Sequence, residues 1–211
     1  MEPSPYLQIE AELSELEQVL QKSIHSDVEL ATEVSAYIVN SGGKRIRPTL
    51  TVLLAKTLNY QGQELINLAA AIELLHTATL IHDDVVDQSE IRRGQMSIHN
   101  KWDNAHGVLV GDFVYSKAFQ LMASLSNKEI IQTLADSTNR ISEGEVLQLN
   151  FLESSAFEES MYFEIIGRKT AELFKAAAVT AAILAGVDER TINTAGEFGF
   201  SLGIAFQLRD D

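Results

Sequence analysis

Three aspartates lie close together at the end of a stretch rich in apolar side chains. Asp83, Asp84 and Asp87 lie within the six residues that follow residues 65–81. On a helix, Asp83 and Asp87 lie on one face with Cβ atoms about 5–6 Å apart. Two carboxylates at this spacing suit Mg²⁺, which takes oxygen ligands and often completes its coordination shell with substrate phosphates. A solvated acidic helix end is the alternative, although acids near a helix C-terminus and like charges four residues apart are both unfavourable.

A second acidic pair stands at the end of another predicted helix. Asp210 and Asp211 are the last two residues of the apolar-rich segment 189–211. If the two acidic groups face each other across a cleft, their carboxylates form a polynuclear metal site for a diphosphate. The second pair therefore favours metal binding, which the first cluster alone leaves open.

Cations accompany the acids at two places. The segment "SGGKRIRP", residues 41–48, contains three cations within four residues, and Arg92 and Arg93 follow the first aspartate cluster. Arginine binds phosphate in a bidentate manner and lysine acts as a point charge, so these residues could hold a diphosphate. The alternatives are a basic helix–helix turn favoured by the helix dipole, and simple ion pairs of the arginines with Asp87 or Glu90.

One histidine lies two helical turns before the aspartates. His76 precedes Asp83 by seven residues on the same predicted helix. A single histidine in an apolar helix is more often a hydrogen-bonded core residue than a ligand-binding group. The same interpretation applies to His82 and His99.

The elements that must position these residues are helices. Apolar residues recur at spacings of three and four, the segment Ser126–Glu129 has the form of a capping box, and no stretch alternates as a strand does. Glycines in the last predicted helix allow close approach of a neighbouring helix. We predict one all-α domain, residues 1–211, of eight or nine helices. The main predicted segments are a first helix with Leu13, Leu16, Leu20 and Ile24, a central helix ending at the aspartates, a helix from Ser126 to about Leu152, and helices at 160–185 and 189–211.

Composition excludes several classes of protein. The chain has 211 residues, a formal net charge of −14, 45% hydrophobic residues and no cysteine. The negative charge argues against a nucleic-acid binder, which needs a basic face. Residues 65–81 are interrupted by polar side chains and fall short of the roughly 20 apolar residues of a membrane span, so no stable membrane insertion is expected. The lack of cysteine fits a reducing compartment, and we expect a cytoplasmic protein.

Together the motifs resemble the trans-isoprenyl diphosphate synthases, and within them the bacterial long-chain branch that includes the octaprenyl diphosphate synthases. The similar segments are "GGKRIRP" (42–48), "LLH" (74–76), "DDVVD" (83–87), "RRG" (92–94), "GD" (111–112), "EGEVLQL" (143–149), "KT" (169–170) and "FQLRDD" (206–211). The resemblance implies the all-α isoprenoid synthase fold, antiparallel helices around a deep central cavity, and a homodimer. It implies Mg²⁺-dependent condensation of an allylic diphosphate, with farnesyl diphosphate the expected starter, with isopentenyl diphosphate.

The resemblance also implies residue roles. Asp83 and Asp87 bind Mg²⁺ with Asp84 in support, and Asp210 and Asp211 bind it from the second acidic pair. Arg92 contacts the allylic diphosphate. The isopentenyl diphosphate is held by Lys44, Arg47, His76 and Arg93, and the allylic site is lined by Lys169, Thr170 and Gln207.

Product length is partly readable from the residues before the aspartates. Ala78 and Thr79 lie one turn below the metal site and are small, whereas short-chain members carry a bulky side chain there. Phe119 and Met122 are candidates for a deeper floor, although both could simply pack in the core. We expect a product longer than geranylgeranyl, with octaprenyl for a quinone side chain as the best single choice; a geranylgeranyl or farnesyl synthase is the alternative.

The sequence also departs from the family. It ends at Asp211, within the second aspartate motif, where members typically continue with further helices. We therefore expect a fragment or shortened form that lacks the C-terminal helices and has weak or no activity. Three other interpretations are a class I terpene cyclase, which should lack the isopentenyl diphosphate site, a non-catalytic subunit of a heteromeric synthase, which should lack the first aspartate motif, and a helical interaction protein.

Overall fold

Helices make up most of the chain that is described. The computed structural model describes residues 8–152 and 158–210. The elements are α1 (Glu10–Ser23), α2 (Glu29–Val39), α3 (Ile46–Thr57), α4 (Glu64–Val86), β1 (Ile91–Arg92), β2 (Gln95–Met96), α5 (Ile98–Lys101), α6 (Asn104–Ala123), α7 (Lys128–Leu152), α8 (Glu159–Ile166), a π-helical turn (Gly167–Ala171), α9 (Glu172–Ala185) and α10 (Glu189–Asp210).

Two compact units can be distinguished in the described chain. The first contains the residues up to Thr49 together with Ile66–Leu125, and the second contains Leu50–Leu65 together with the residues from Ser126 onward. The prediction of a single domain over residues 1–211 stays a prediction.

In the first unit, the leucine spacing of α1 gives a buried face. Leu16 and Leu20 are fully buried, and Ile24, which follows the helix, is 1% exposed. The helix packs against α2, and α2 packs against α6. The predicted first helix is therefore confirmed.

The central helix α4 is buried on nearly all sides. Its segment Leu68–Ile72 is fully buried, as the absence of a polar face predicted. By length and composition α4 could also cross a membrane, but 72% of its most apolar 18-residue window is buried within the fold, and the core helix of a soluble protein passes the same test. The C-terminal end of this buried helix carries the three aspartates.

A short hairpin follows α4 where only a loop was predicted. Strands β1 and β2 pair antiparallel, with Ile91 opposite Met96 and Arg92 opposite Gln95. The two residues between the strands, Arg93 and Gly94, have φ of 51° and 77°, as a two-residue hairpin of the I′ class requires. The sequence did not predict this hairpin, because two-residue strands are too short to show an alternating pattern.

In the second unit, α7 has the predicted bounds but a different N-terminal cap. The side chain of Asn127 accepts a hydrogen bond from the amide of Glu129 at 2.8 Å. The amide and hydroxyl of Ser126 instead donate to the carboxylate of Glu64, at 3.0 and 3.1 Å. The capping box predicted for Ser126–Glu129 is therefore wrong, because a carboxylate distant in sequence takes the serine.

The predicted helix over residues 160–185 is interrupted by one π-helical turn, which separates α8 from α9. Helix α10 packs against α9 and the π-helical turn. A Cβ at Gly199 would lie 2.6 Å from the carbonyl oxygen of Phe174, and one at Gly203 would lie 2.5 Å from Cα of Ala171. The close approach predicted from the glycines is confirmed.

Candidate active site

The aspartate cluster occupies the last turn of α4. The amide of Asp87 donates to the carbonyl of Asp83 at 2.7 Å, so helical geometry continues one residue beyond the end of α4. Asp87 is exposed, Asp83 is partly buried and Asp84 is only 2% exposed. The predicted placement of Asp83 and Asp87 on consecutive turns is therefore found, whereas Asp84 points into the protein.

Asp84 binds an arginine of the hairpin. Nε and Nη2 of Arg92 donate to Oδ1 of Asp84, at 2.8 and 2.6 Å. Burial lowers the pKa of Arg92, but the hydrogen bonds to Asp84 and the charges of the three aspartates outweigh it and raise the pKa above its ordinary value. Arg92 therefore forms its ion pair with Asp84. The sequence alternative, an ion pair of Arg92 with Asp87 or Glu90, is not what the structure shows. It fixes the Arg92 guanidinium beside the aspartate cluster.

The cations of the α2–α3 loop differ in their surroundings. Lys44 is exposed, whereas Arg47 is 9% exposed. Burial, and secondarily the charge of Arg93, lowers the pKa of Arg47 to about 10, although the charge of Glu73 opposes this shift. At neutral pH Arg47 is still protonated, so this place carries a buried positive charge.

Arg93 reaches from the hairpin to the same loop. Its Nη1 donates to the carbonyl of Gly42. Burial lowers the pKa of Arg93, the charge of Glu73 opposes that effect, and the charges of Arg45 and Arg92 add to it. Since the charge of Arg93 lowers the pKa of Arg47, and the charges of Arg45 and Arg92 lower that of Arg93, the loop and the hairpin form one cationic cluster.

His76 lies within the field of these cations. Burial lowers its pKa well below the ordinary value of 6.5, and the charges of Arg47, Arg93, Arg92 and Arg45 lower it further. The imidazole is therefore neutral at pH 7. It can donate one N–H hydrogen bond to an anion but adds no charge of its own.

Arg45 and Glu73 form an ion pair within this cluster that the sequence did not predict. Arg45 donates from Nη1 to Glu73 at 2.8 Å and from Nε to Glu17 at 2.7 Å, with a further bond from Nη2 to the carbonyl of Val39. The Glu73 side chain is 3% exposed and that of Glu17 is 46% exposed. Glu73 is the one acid within the apolar segment 65–81 and lies three residues before His76, and this sequence feature could have identified it as a counter-charge.

The second unit carries the predicted allylic-site residues on and next to the π-helical turn. Nζ of Lys169 lies 2.8 Å from Oε2 of Glu145, and the Thr170 hydroxyl donates to Oε1 of Gln207 at 2.9 Å. Single π-helical turns within α-helices are frequent at functional sites. Thr170 and Gln207 thus contact each other, and Lys169 binds Glu145; the role of Lys169, Thr170 and Gln207 in an allylic site stays a prediction.

The carboxylates predicted to bind Mg²⁺ differ in their positions. Asp210 is the exposed last residue of α10, and Asp211 lies outside the described residues. Within residues 8–152 and 158–210, no three acidic or imidazole groups are placed so that they could hold an ion by themselves. Mg²⁺ usually takes one or two protein carboxylates and fills its shell with water and substrate phosphates. Asp83 and Asp87, on consecutive turns and accessible, fit that chemistry.

Comparison with known proteins decides the family. The family model described as polyprenyl synthetase matches residues 28–211. The chain belongs to the polyprenyl synthetase family. Its similarity to the octaprenyl diphosphate synthase of Escherichia coli is 45% identity over 190 residues, which are 90% of this chain and 59% of that protein. The chain therefore spans about three fifths of the length of such curated relatives.

Solved structures of the family have the same fold. A polyprenyl synthase from Caulobacter crescentus, crystallised with calcium and isoprenyl diphosphate, superposes with a TM-score of 0.95 at 40% identity, over 98% of this chain and 63% of that one. A decaprenyl diphosphate synthase from Rhodobacter capsulatus gives 0.95 at 38% identity, over 98% and 64%. The prediction of the all-α isoprenoid synthase fold is confirmed.

The residues predicted to set product length in this family member lie in the first unit. Ala78 is fully buried, and the Thr79 hydroxyl donates to the carbonyl of His76 at 2.8 Å. On α6, Met122 is 1% exposed, but Phe119 is 42% exposed. Small side chains thus stand one turn before the aspartates, as the sequence shows. The roles of all four residues stay predictions.

Proposed function

We propose that the whole protein condenses an allylic diphosphate with isopentenyl diphosphate, in a Mg²⁺-dependent reaction, to a long-chain all-trans polyprenyl diphosphate. The observation that carries this proposal is the arrangement in the first unit, where the carboxylates of Asp83 and Asp87 at the end of α4 accompany a separate cluster of buried and partly buried arginines. Such a combination matches the needs of two diphosphates, one of which leaves and one of which stays attached.

The reaction begins at the C–O bond of the allylic diphosphate. Asp83 and Asp87 would hold Mg²⁺, which supplies positive charge to the departing diphosphate. Arg92, fixed by Asp84, adds a further positive charge at the same place. As the C–O bond breaks, its electron pair leaves with the diphosphate and an allylic cation remains. The double bond of isopentenyl diphosphate attacks this cation, and loss of a proton completes the product, with the departed diphosphate a candidate base.

Isopentenyl diphosphate keeps its diphosphate, so its site needs affinity rather than leaving-group stabilisation. Lys44, Arg47 and Arg93 supply positive charge, and His76, neutral because of its lowered pKa, supplies a hydrogen bond. In the second unit, Lys169, Thr170 and Gln207 are proposed to line the allylic site, with Asp210 and Asp211 as further metal ligands.

For the product we propose octaprenyl diphosphate, destined for a quinone side chain. The small residues Ala78 and Thr79, and the identity to a curated octaprenyl diphosphate synthase, support a long product. A homodimer is proposed as well. It is supported by apolar side chains on α6 that are exposed in the single chain, namely Val108 (43%), Leu109 (67%) and Phe119 (42%). The cytoplasmic location stays a prediction.

The test is incubation with farnesyl diphosphate, radiolabelled isopentenyl diphosphate and Mg²⁺, with product length read by chromatography. The variants Asp83→Asn and Asp87→Asn should lose turnover, whereas Asp27→Asn, at an exposed aspartate of the same unit, should not. A ladder that ends at octaprenyl supports the proposal, and one that ends at farnesyl or geranylgeranyl favours the shorter-chain alternative.

Binding gives a second measurement, which does not require turnover. A ligand that binds only the folded state raises stability, by about 2.7 kcal/mol at a hundredfold excess over its Kd. Thermal stabilisation by Mg²⁺ with a farnesyl diphosphate analogue would support a diphosphate site even without product. Neither product nor stabilisation would contradict the proposal and favour a helical interaction protein.

A further inference from the structure

The loop between α2 and α3 contains two consecutive glycines with different surroundings. Gly42 and Gly43 have φ of +78° and +149°, a region that side chains disfavour. A Cβ at Gly42 would meet no atom within 4 Å. A Cβ at Gly43 would lie 2.8 Å from Cζ, 2.9 Å from Nη2 and 3.0 Å from Nη1 of Arg93. Backbone conformation therefore explains both glycines, but only Gly43 is also required by a neighbour.

The neighbour at Gly43 is the guanidinium at the far end of the Arg93 side chain, so a methyl group there would displace this charged group rather than the backbone. The three guanidinium atoms are almost equally distant from the Cβ position, so the group lies directly over the glycine. From there Nη1 donates to the carbonyl of Gly42. The backbone of Arg93 itself has φ of 51° in the hairpin turn.

Arg93 lies among charges of both signs. The charge of Glu73 raises its pKa, those of Arg45 and Arg92 lower it, and Arg93 in turn lowers the pKa of Arg47. An arginine among like charges would turn toward solvent unless contacts hold it. The Gly42 carbonyl accepts a hydrogen bond from Arg93, and the missing side chain of Gly43 leaves room for the guanidinium. Both glycines belong to the loop that also carries Lys44 and Arg47.

We propose that Gly43 is a positioning residue, whose missing side chain lets the Arg93 guanidinium rest on the loop backbone and converge with Arg47 and Lys44 on one diphosphate. The identity of that anion rests on the proposed function. The contact between Gly43 and Arg93 does not. A methyl group at residue 43 would displace the guanidinium and weaken binding of isopentenyl diphosphate, while the allylic diphosphate, bound at the aspartates, would be unaffected.

The experiment compares Gly43→Ala with Gly186→Ala in the wild-type background and in Arg93→Ala. Gly186, which follows α9, has φ of +69°, and a Cβ there would meet no atom within 4 Å. Both alanines carry backbone strain at positive φ, so Gly186→Ala is the matched control for strain without the clash. Calorimetry measures the Kd of isopentenyl diphosphate, and steady-state kinetics measure KM for each substrate and kcat. We expect Gly43→Ala to raise the Kd and KM of isopentenyl diphosphate roughly 10- to 100-fold, the loss expected for one charge-assisted contact, and Gly186→Ala to change them less than about threefold.

The double variant isolates the contact. In the Arg93→Ala background the clash is gone, so Gly43→Ala should add no further loss of isopentenyl diphosphate affinity and should destabilise the fold no more than Gly186→Ala does. If Gly43→Ala does not fold, the Arg93→Ala substitution should restore folding. A double variant as unstable as the single one, or equal effects of the two alanines on isopentenyl diphosphate, would overturn the proposal.

The outcomes separate this inference from the proposed function. If the wild-type protein binds neither isopentenyl diphosphate nor inorganic diphosphate, the proposed function is wrong and the diphosphate role of Gly43 falls with it. The thermal stabilities of Gly43→Ala, Arg93→Ala and the double variant then still show whether Gly43 positions Arg93. If the wild type binds and the cycle shows no coupling, only the inference about Gly43 is wrong.

Discussion

Glu73→Gln should lower stability and raise anion affinity at the same time. Glu73 is 2% exposed, and its Oε1 lies 2.8 Å from Nη1 of Arg45, whose side chain is 10% exposed. Removal of one partner from a buried ion pair costs about 3–5 kcal/mol, because the remaining charge is left uncompensated. Arg45 keeps Glu17 and the carbonyl of Val39, so we expect the lower end, about 3 kcal/mol.

The matched control is Glu17→Gln, the other carboxylate on the same arginine. Its side chain is 46% exposed, and ion pairs with such exposure contribute at most about 1 kcal/mol. For a chain of this size, 1 kcal/mol shifts Tm by about 2–4 °C. Glu73→Gln should therefore lower Tm by roughly 6–12 °C and Glu17→Gln by less than about 4 °C, both measured by thermal unfolding.

The opposite sign is expected for anion binding. The charge of Glu73 acts against the pKa shifts of Arg47 and Arg93, so it offsets part of the positive potential of the cluster. Loss of one nearby unit charge is worth on the order of 1 kcal/mol at a partly solvated site, so inorganic diphosphate should bind roughly 3- to 10-fold more tightly to Glu73→Gln. Calorimetry on both variants measures this. A Glu73→Gln protein with unchanged Tm and unchanged or weaker diphosphate binding would refute the reasoning.

Three further substitutions test other parts of the structure. Gly199→Ala should lower the free energy of unfolding by about 1–3 kcal/mol in urea, because its Cβ would meet a backbone oxygen of α9, whereas the exposed Ser201→Ala should change little; equal effects would contradict the close packing. Because burial and nearby arginines hold the pKa of His76 below 6.5, the unfolded chain takes up this proton first. Stability present above about pH 6.5 is therefore lost as the pH falls toward the lowered pKa, and His76→Gln should flatten that part of the stability–pH curve; an unchanged curve would show that other groups cause it. Asp84→Asn should lower the free energy of unfolding, measured in urea, by about 1.5–3 kcal/mol, because Asp84 accepts two hydrogen bonds from Arg92. An unchanged free energy of unfolding would show that this ion pair is not formed in solution.

The sequence by itself determined the helical architecture and the location of the acidic cluster. Spacings of three and four define α1 and α4, and a separation of four residues places Asp83 and Asp87 on consecutive turns. The glycines of α10 likewise indicated close packing without revealing the partner. These features are local, because helix geometry fixes which side chains share a face within one or two turns.

Only the tertiary structure decided which charges meet. The sequence offered Asp87 and Glu90 as ion-pair partners of Arg92, but in the fold Arg92 pairs with Asp84. Ser126 fits a capping box in the sequence, but its hydroxyl donates to Glu64 in the structure. The neighbour of Gly43 is Arg93, fifty residues further along the chain. Hydrogen bonds and repulsion between side chains act over a few ångströms, so their partners depend on how distant segments pack. Spacing along the chain therefore predicts that acids and cations gather, and packing determines which acid holds which cation.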